Sequence, residues 1–144
     1  MLVSHILKSK ADDGVVAIAP EASVTEAVAL LSARKIGAFI VSTDGKTALG
    51  ILSERDVVRE LGRRGPAVLA EKVASLMTAK LVTCQRSDRT DAVLQHMTDG
   101  RFRHMPVIEA GQMVGLISIG DVVKARLTEL HAEKDALEGM IKGF

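Results

Sequence analysis

The chain has 144 residues, which is the length of one ordinary domain or of two very small domains that share a core. Hydrophobic residues make up 47% of it and aromatic residues 2%, so we expect a folded protein with an aliphatic core and exclude a disordered chain. Its 19 basic and 18 acidic residues are interspersed, which gives no general reason to expect a nucleic acid or an anionic membrane as partner.

The first half of the chain predicts a strand, a helix, two strands and a second helix, in that order. A short apolar run from Val15 to Ala19 leads into Ser23, a residue type that caps helices, and helical periodicity follows. Two β-rich runs, Ala38 to Ser42 and Ala48 to Leu52, are separated by an Asp-Gly turn signal. A second helix is expected after Ser53, a reasonable N-cap. The apolar face of the first helix is expected to consist of Val24, Ala27, Val28 and Leu31.

A linker joins this half to the next. Gly62, Gly65 and Pro66 are expected to break the chain, because glycine and proline interrupt helices and strands. A short helix from Val68 to Met77 is predicted after them. A linker this short holds the two halves close together.

The second half predicts the same elements in the same order. Leu81 to Cys84 predicts a strand, Asp88 a helix cap, and the runs Met105 to Ile108 and Val114 to Ile117 two strands that are joined through Gly111. The apolar face of its first helix is expected to consist of Ala92, Val93, His96 and Met97.

The two halves are copies of one unit. Thr25-Glu26-Ala27-Val28 returns as Thr90-Asp91-Ala92-Val93, and the segment Gly50 to Val58 returns as Gly115 to Val123. A lone βαββα unit of about 50 residues buries too little surface to be stable. We therefore predict an α/β (α+β) fold in which the two copies pack sheet against sheet about a pseudo-twofold axis, with an extended C-terminal helix.

The last helix is expected to follow Ser118 and to run from about Asp121 towards Ile141, which is longer than its counterpart in the first copy. Its apolar residues follow the 4-3 spacing of a helix-packing stripe. The stripe consists of Val123, Leu127, Leu130, Leu137 and Ile141. It predicts either a contact with another helix, as in a dimer, or packing on the chain's own body.

The sharpest local feature is a Ser-x-x-Asp pair at the strand-to-helix corner of each copy, Ser53 with Asp56 and Ser118 with Asp121. The unpaired N–H groups of a helix's first turn favour an anion, and an Asp there can accept two hydrogen bonds from a ribose diol. The alternative is structural, because a Ser N-cap and an Asp in the first turn stabilise a helix without any ligand. Duplication copies caps as faithfully as binding sites, so both interpretations stay open.

A second candidate is the run Arg101 to Pro106, in which two guanidinium groups and the His104 imidazole crowd the start of a strand. A phosphate-binding edge requires such groups, although basic residues at a strand end are commonly only solvated. Further candidate phosphate contacts are Lys35, Arg55 and Lys80.

No pattern for catalysis or metal binding stands out. The four histidines lack metal-ligand spacing, and Cys84 has no obvious base partner, so we interpret it as a small buried residue. Because Cys84 is the only cysteine, an intramolecular disulfide is excluded and a reducing compartment is favoured. The segment Met1 to Lys10 lacks the apolar stretch of a signal peptide. We therefore predict a cytoplasmic protein that is not an enzyme and requires no metal or cofactor.

Four segments carry a resemblance to a known family: Lys35 to Val41 and Gly50 to Asp56 in the first copy, and Arg103 to Val107 and Gly115 to Asp121 in the second. They resemble the cystathionine-β-synthase-type (CBS) domain, and the whole chain resembles the tandem CBS pair, also called a Bateman module. The resemblance implies a first repeat with the N-terminal segment at 1–66, a linker helix at 67–80, a second repeat at 81–130 and a helical extension at 131–144.

The resemblance also implies two clefts, each of which combines a Ser/Thr-x-x-Asp pair from one copy with a hydrophobic strand from the other. One site would consist of Ser53, Arg55, Asp56, Thr83, Phe102, Arg103, His104 and Pro106. The other would consist of Ile18, Lys35, Gly37, Ala38, Ile40, Ser118 and Asp121. Ile40 stands where the family has a proline, and Arg103 where it has a glycine. The clefts are therefore expected to differ, with the first better suited to a phosphorylated ligand.

The ligands implied by the resemblance are AMP, ADP, ATP, NAD(H) and S-adenosylmethionine, and the implied assembly is a homodimer. The basic residues favour a phosphate-bearing ligand, with AMP or NAD(H) preferred. The predicted function is a regulatory sensor whose state is read by an unknown protein partner. A ligand-free scaffold that assembles through the C-terminal helix is the alternative. Nucleic-acid binding is a third hypothesis, which the net charge and the few aromatic residues disfavour. It would use Arg55, Arg59, Arg63, Arg64, Arg101 and Arg103.

Overall fold

The protein is described by a computed structural model that covers residues 1–10 and 16–142. The helices in these ranges are α1 (Val3–Ser9), α2 (Val24–Arg34), α3 (Glu54–Arg64), α4 (Val73–Leu76), α5 (Thr90–Gly100) and α6 (Ile119–Ile141), with a 3-10 helix at Pro66–Ala70. The strands are β1 (Ala17–Ile18), β2 (Ala38–Val41), β3 (Gly50–Ser53), β4 (His104–Glu109) and β5 (Gln112–Ser118). The predicted mixture of helices and strands is confirmed. Val15, in the first predicted strand, lies outside the described residues.

The first repeat is a three-stranded sheet with helices on one face. Strand β1 runs parallel to β2, and β2 pairs antiparallel with β3. The Ser23 side chain caps α2 by accepting a hydrogen bond from the Glu26 N–H, as predicted. The helix-facing side chains of the sheet, Phe39, Val41 and Leu52, are fully buried in an aliphatic core. Val28 was expected in this core, but its side chain is partly exposed, because it lies at the edge of the buried face.

The second repeat has a two-stranded sheet rather than a copy of the first. Strands β4 and β5 pair antiparallel, with a bulge between Val107 and Ile108. The prediction of a strand over Leu81 to Cys84 is wrong, because only Cys84 pairs with β4. Its N–H donates to the Pro106 carbonyl, and its carbonyl accepts from the Ile108 N–H.

Helix α5 differs from its prediction at its start and in its buried face. Asp88 is not its N-cap, since Arg89 takes that position without a side-chain hydrogen bond, and the Asp88 carboxylate accepts from the Gln85 N–H instead. Ala92 and His96 are exposed, contrary to prediction. The buried residues of α5 are Thr90, Val93 and Met97.

The linker also differs from its prediction. Gly62 does not break the chain but lies inside α3, and the helix expected from Val68 to Met77 is divided into the 3-10 helix and α4. The division has a structural cause: the chain is extended at Lys72, where it pairs with Ser23, and the Glu71 carbonyl accepts a hydrogen bond from the Val24 N–H.

The segment that precedes each repeat packs on the other repeat. The linker precedes the second repeat, but Val73 and Leu76 of α4 are buried in the core of the first. Helix α1 precedes the first repeat, but Val3 and Ile6 are buried in the core of the second. The N-terminal segment was expected to group with the first repeat, so its packing differs from that expectation. This exchange ties the two repeats together.

The inner faces of the two sheets are buried as well. Ala38 and Ile40 alternate along β2 with the core residues and therefore point away from the helices, yet they are 3% and 0% exposed. Pro106 holds the same position in β4 and is also buried. A hydrogen bond of 2.7 Å from the Met113 N–H to the Lys46 carbonyl joins the repeats directly. The sheets therefore cover one another, as predicted.

We predict that Ile6→Ala lowers the free energy of unfolding by about 2–5 kcal/mol, because it removes a side chain buried in the core of the second repeat. Urea denaturation followed by circular dichroism measures the change. Lys8→Ala, an exposed position on the same helix, is the matched control, with an expected change within about 0.5 kcal/mol. An Ile6→Ala protein as stable as this control would contradict the packing of α1 on the second repeat.

Candidate functional site

The Ser-x-x-Asp corners are complete helix caps in both repeats. At the first corner, the Ser53 hydroxyl accepts from the Asp56 N–H, and the Asp56 Oδ2 atom accepts from the Ser53 N–H at 3.0 Å. Ser118 and Asp121 make the same pair of hydrogen bonds at 3.1 and 2.9 Å. Both Ser-x-x-Asp pairs therefore cap their helices without a ligand. A role in ligand binding depends on the residues that lie opposite these corners.

The first corner opens into a cleft between the repeats, which we call the first cleft. It encloses about 350 Å³. The structure brings seven of the eight residues predicted for this site into its lining: Ser53, Arg55, Asp56, Phe102, Arg103, His104 and Pro106. Thr83 is the exception, since it does not line the cleft.

The first cleft is rich in cations, most of which have no carboxylate partner in the described part of the chain. Five guanidinium or ammonium groups line it, against the two carboxylates of Glu54 and Asp56. Only one of the five is paired with a carboxylate within residues 1–10 and 16–142: Arg59, whose guanidinium lies 2.9 Å from Asp56 Oδ1. The other four are Arg55, Lys80, Arg101 and Arg103.

Sequence reasoning missed several residues of the first cleft. Arg59 lies one turn after Asp56 on α3, a spacing that could have indicated it. Thr78 and Val82 come from the linker and the segment after it, which no local pattern marks as part of a site. Apolar side chains of Ile51, Leu81, Val82, Phe102 and Pro106 complete the lining. The cleft can therefore accept a ligand with an apolar ring, a hydroxyl-bearing part and an anionic part.

The second corner opens into a smaller second cleft of about 280 Å³. Five of the residues predicted for this site line it: Lys35, Gly37, Ala38, Ser118 and Asp121. Ile18 and Ile40 do not. Ile18 packs against the first core, and Ile40 is fully buried between the sheets.

Lys10, at the end of α1, is a residue of the second cleft that sequence reasoning missed. Its ammonium lies 2.9 Å from Asp121 Oδ2 and donates to the Leu116 carbonyl at 3.0 Å. Burial raises the pKa of Asp121, but hydrogen bonds from Ser118 and Lys10 outweigh this effect and hold the pKa below its ordinary value. No short motif could have indicated Lys10, because its partners lie in the other repeat.

The two clefts share a wall, which consists of Gly37 and His104. A Cβ atom placed on Gly37 would lie 3.3 Å from His104 Cε1, so the glycine leaves room for the imidazole. Burial lowers the pKa of His104; Glu54 and Asp121 oppose this effect, and Lys10 and Arg103 add to it. The wall between the clefts is therefore a mostly buried imidazole that favours its neutral form.

Cys84 is not a reactive thiol in this fold. Cys84 is buried, as interpreted from the sequence, and burial together with the Asp88 charge raises the pKa of its thiol to about 12. Such a thiol stays protonated and unreactive. Over the described part of the chain, the acidic, histidine and cysteine side chains form no metal-binding cluster. In the same part, no helix is both long and apolar enough to cross a membrane.

Comparison with known proteins finds a family model that matches both repeats and relatives that cover most of the chain. The family model described as the CBS domain matches residues 3–63 and 73–128, which confirms the tandem repeat. The mitochondrial CBS domain-containing protein CBSX3 of Arabidopsis thaliana is 34% identical over 98% of this chain and 72% of its own length. The crystal structure of a CBS-domain protein from Agrobacterium tumefaciens is 45% identical, with a TM-score of 0.83 over 88% of this chain and 99% of that one.

Two more distant structures have adenosine-containing ligands. CBSX2 in complex with AMP is 24% identical, with a TM-score of 0.71 over 88% of this chain and 96% of that one. The CBS domain pair of protein MJ0100, in complex with 5-methylthioadenosine and S-adenosyl-L-methionine, is 18% identical, with a TM-score of 0.75 over 87% and 98%. At these identities the two structures show a shared fold.

We predict that His104 titrates below its ordinary value of 6.5 in the folded protein, because burial disfavours the charged imidazole. A pH titration of the imidazole NMR signals, assigned with His104→Gln, measures this pKa. Since the unfolded state binds the proton more readily, the contribution of His104 to stability is complete above its unfolded pKa and is lost as the pH falls towards its folded pKa. A folded-state pKa at or above 6.5 would contradict the described environment of the imidazole.

Proposed function

Since this chain belongs to the CBS-domain family, we propose that it is a non-catalytic regulatory module that binds an adenine nucleotide in the first cleft. The observation that carries the proposal is the juxtaposition in this cleft of the Asp56 carboxylate with four cations that have no carboxylate partner in the described residues. Asp56 and Arg55 belong to the first repeat, whereas Arg101 and Arg103 come from the second repeat and Lys80 from the linker. A ligand that contacts both would therefore bridge the two halves of the molecule.

The ribose would bind at the first corner. Asp56 Oδ2 is held by Ser53. Among residues 1–10 and 16–142, the one polar partner of Oδ1 is the guanidinium of Arg59, whose side chain is 54% exposed. Because Arg59 is more than half exposed and also contacts Glu60 on its own helix, it can leave Oδ1 to a ribose hydroxyl. A carboxylate accepts hydrogen bonds from the two hydroxyls of a diol with good geometry.

The phosphate would bind to guanidinium groups of the first cleft. Arg101 and Arg103 flank Phe102 just before β4, and Arg55 projects from the first turn of α3. Guanidinium groups bind phosphate oxygens through two parallel hydrogen bonds, which a sulfonium centre cannot accept. The charge of the cleft therefore supports AMP, and after it NAD(H), over S-adenosylmethionine. The AMP complex of the structural neighbour CBSX2 is consistent with this preference.

Regulation would follow from the bridging position of the nucleotide. A ligand that contacts α3 of the first repeat and the start of β4 in the second favours the arrangement in which these elements are close. Binding to the folded state also stabilises it, by an amount that grows with the logarithm of the ligand concentration. We propose that a protein partner reads this change, so that the chain reports the level of an adenine nucleotide, most simply in the cytoplasm.

A second candidate function, assembly through α6, is favoured by an exposed apolar stripe. Leu127, Leu130 and Leu137 are 53%, 49% and 60% exposed, although each is large and apolar. Exposed apolar residues at this spacing are typical of a helix that packs on another helix. We propose that two copies of the chain pair along this stripe. Such a dimer is compatible with nucleotide binding, and it would also form if the protein is a ligand-free scaffold.

Nucleic-acid binding has less support from the arrangement of the arginines. Four of the six candidates line the first cleft, and one of these, Arg59, pairs with Asp56. The other two, Arg63 and Arg64, pair with Glu60. The six arginines therefore do not present one continuous basic surface to a phosphate backbone.

We predict that Asp56→Asn weakens AMP binding by about 1.5–3 kcal/mol, roughly 10- to 150-fold, because a neutral amide replaces the charged acceptor of the ribose hydroxyls. Asparagine retains an acceptor for the Ser53 N–H, so the helix cap is preserved. Isothermal titration calorimetry with AMP measures the affinity. Asp91→Asn, a partly exposed position on α5 outside both clefts, is the control and should bind AMP like the wild type. An Asp56→Asn protein that is folded and binds AMP with unchanged affinity would refute the proposed site.

We predict that the double variant Leu127→Glu with Leu130→Glu is monomeric under conditions in which the wild type is dimeric, because charges on the stripe oppose its burial. Size-exclusion chromatography with light scattering gives the mass of each. The control, Thr128→Glu with His131→Glu, adds the same charges beside the stripe and should remain dimeric. A wild-type monomer, or a dimeric stripe variant, would count against assembly through α6.

A further inference from the structure

The C-terminal half of α6 extends beyond the body of the protein, and the described part of the chain does not cover it. The helix is exposed from residue 131 to residue 141, except at Gly139, which is partly exposed. Its apolar side chains include Met140 and Ile141, which are 73% and 86% exposed. An isolated helix of this length is only marginally stable in water. We therefore expect this half of α6 to pack on another surface.

We propose that this surface is α6 of a second copy of the chain, which lies antiparallel to the first, with the twofold axis near position 132. The inference rests on assembly through α6, the second candidate function. It adds the direction of the second helix and the residues that pair across the contact.

The apolar stripe of α6 matches itself when one of two helices is reversed about position 132. Val123, Leu127 and Leu130 precede this position by nine, five and two residues, and Ile141, Leu137 and Lys134 follow it by the same intervals. Reversal therefore places each member of the first group opposite a member of the second. Lys134 then packs its aliphatic stem on Leu130 of the second copy and keeps its ammonium in water. In a parallel pair, Lys134 would lie opposite Lys134 in the middle of the contact.

The charges on one side of the stripe favour the antiparallel direction. Lys124 and Glu138 each follow a stripe residue by one position and flank the stripe on the same side. Because the same sides of two antiparallel helices meet, Lys124 lies opposite Glu138 of the second copy, and the twofold axis repeats this ion pair.

Both charges are available for the contact. Lys124 has no carboxylate partner within residues 1–10 and 16–142. Glu138 lies 3.8 Å from Lys134 in an exposed ion pair within the helix, which contributes little to stability. Glu138 can therefore pair with a second copy at small cost.

The other side of the stripe disfavours a parallel pair. Glu133 precedes Lys134 and flanks the stripe on the side opposite Glu138. In a parallel pair, Glu133 of each helix would face Glu138 of the other, which gives two repulsive contacts in addition to the facing lysines. In the antiparallel pair, Glu133 meets its own copy once, at the axis. The antiparallel pair therefore has two attractive contacts and one repulsive contact.

The antiparallel direction also covers the exposed half of each helix with a fixed surface. Val122 and Ala125 anchor the first half of α6 in the core of the second repeat, while Val123 and Leu127 beside them remain exposed. Reversal places the exposed half of each helix on the anchored half of the other. In a parallel pair, the two exposed halves would pack only on one another.

Charge reversal distinguishes the two directions. We expect Lys124→Glu and Glu138→Lys each to weaken dimerisation by roughly 4- to 30-fold, because each converts two exposed ion pairs into two repulsive pairs. The double variant restores the ion pairs in reverse and should dimerise like the wild type. Sedimentation equilibrium measures the dissociation constant, and circular dichroism establishes that each variant is folded. Asp135→Lys, an exposed position away from the stripe, is the control and should dimerise like the wild type.

Cysteine cross-linking tests the register independently. In the proposed pair, Leu127 lies opposite Leu137 of the second copy, whereas the two copies of Leu127 are about 15 Å apart along the helix axis. Mild oxidation of a mixture of Leu127→Cys and Leu137→Cys chains should therefore give a cross-linked dimer, and neither variant alone should give one. Cys84 does not compete, because its buried thiol stays protonated.

The outcomes separate the direction of the helices from assembly itself. A tighter dimer for Glu138→Lys would indicate a parallel pair, since the new lysine would face Glu133, and would overturn the inference while leaving assembly through α6 intact. Single variants that dimerise like the wild type, a double variant as weak as the single variants, or a cross-link in Leu127→Cys alone would also overturn it. A monomeric wild type would refute assembly and this inference together, but not nucleotide binding in the first cleft.

Discussion

The inner faces of the two sheets are buried because each sheet covers the other. Ile40 and Pro106 face away from the helices of their own repeats and would be exposed if the repeats came apart. The exchanged segments strengthen the same contact, since α1 and α4 each complete the core of the repeat that they do not precede. Both clefts lie where this contact meets the strand-to-helix corners. The clefts therefore exist only in the pair, and a ligand that fills one acts on the relation between the repeats.

Duplication placed similar corners in both repeats, but the residues that face them differ. Gly37 and Ala38 lie at the start of β2 in the first repeat. Their counterparts at the start of β4 in the second repeat are Arg103 and His104. The small pair leaves room for the imidazole of the large pair. As a result the first cleft faces arginines, whereas the second faces lysines, one of which is already paired with its carboxylate. The chemical inequality of the clefts therefore lies in the charged residues that line them.

Features that depend on neighbouring residues could be predicted from the sequence, and features that depend on distant contacts could not. The Ser53 and Ser118 caps follow from residue types a few positions apart, and most of the residues that the family resemblance implies for the two sites line the clefts. Lys10 could not be found in this way, because its partner Asp121 is 111 positions away. The prediction of Asp88 as a helix cap was wrong for the same reason. The backbone around Asp88 pairs with the start of α1, and no local sequence pattern shows this contact. Cys84 has strand-like neighbours, but only its own backbone reaches β4.

A crystal structure of the protein with AMP tests the central claim most directly, because it reveals both the site and the number of occupied clefts. The account predicts AMP in the first cleft, with its ribose hydroxyls on the Asp56 carboxylate and its phosphate on the guanidinium groups of Arg101 and Arg103. AMP bound through Asp121, or bound away from both clefts, would contradict it.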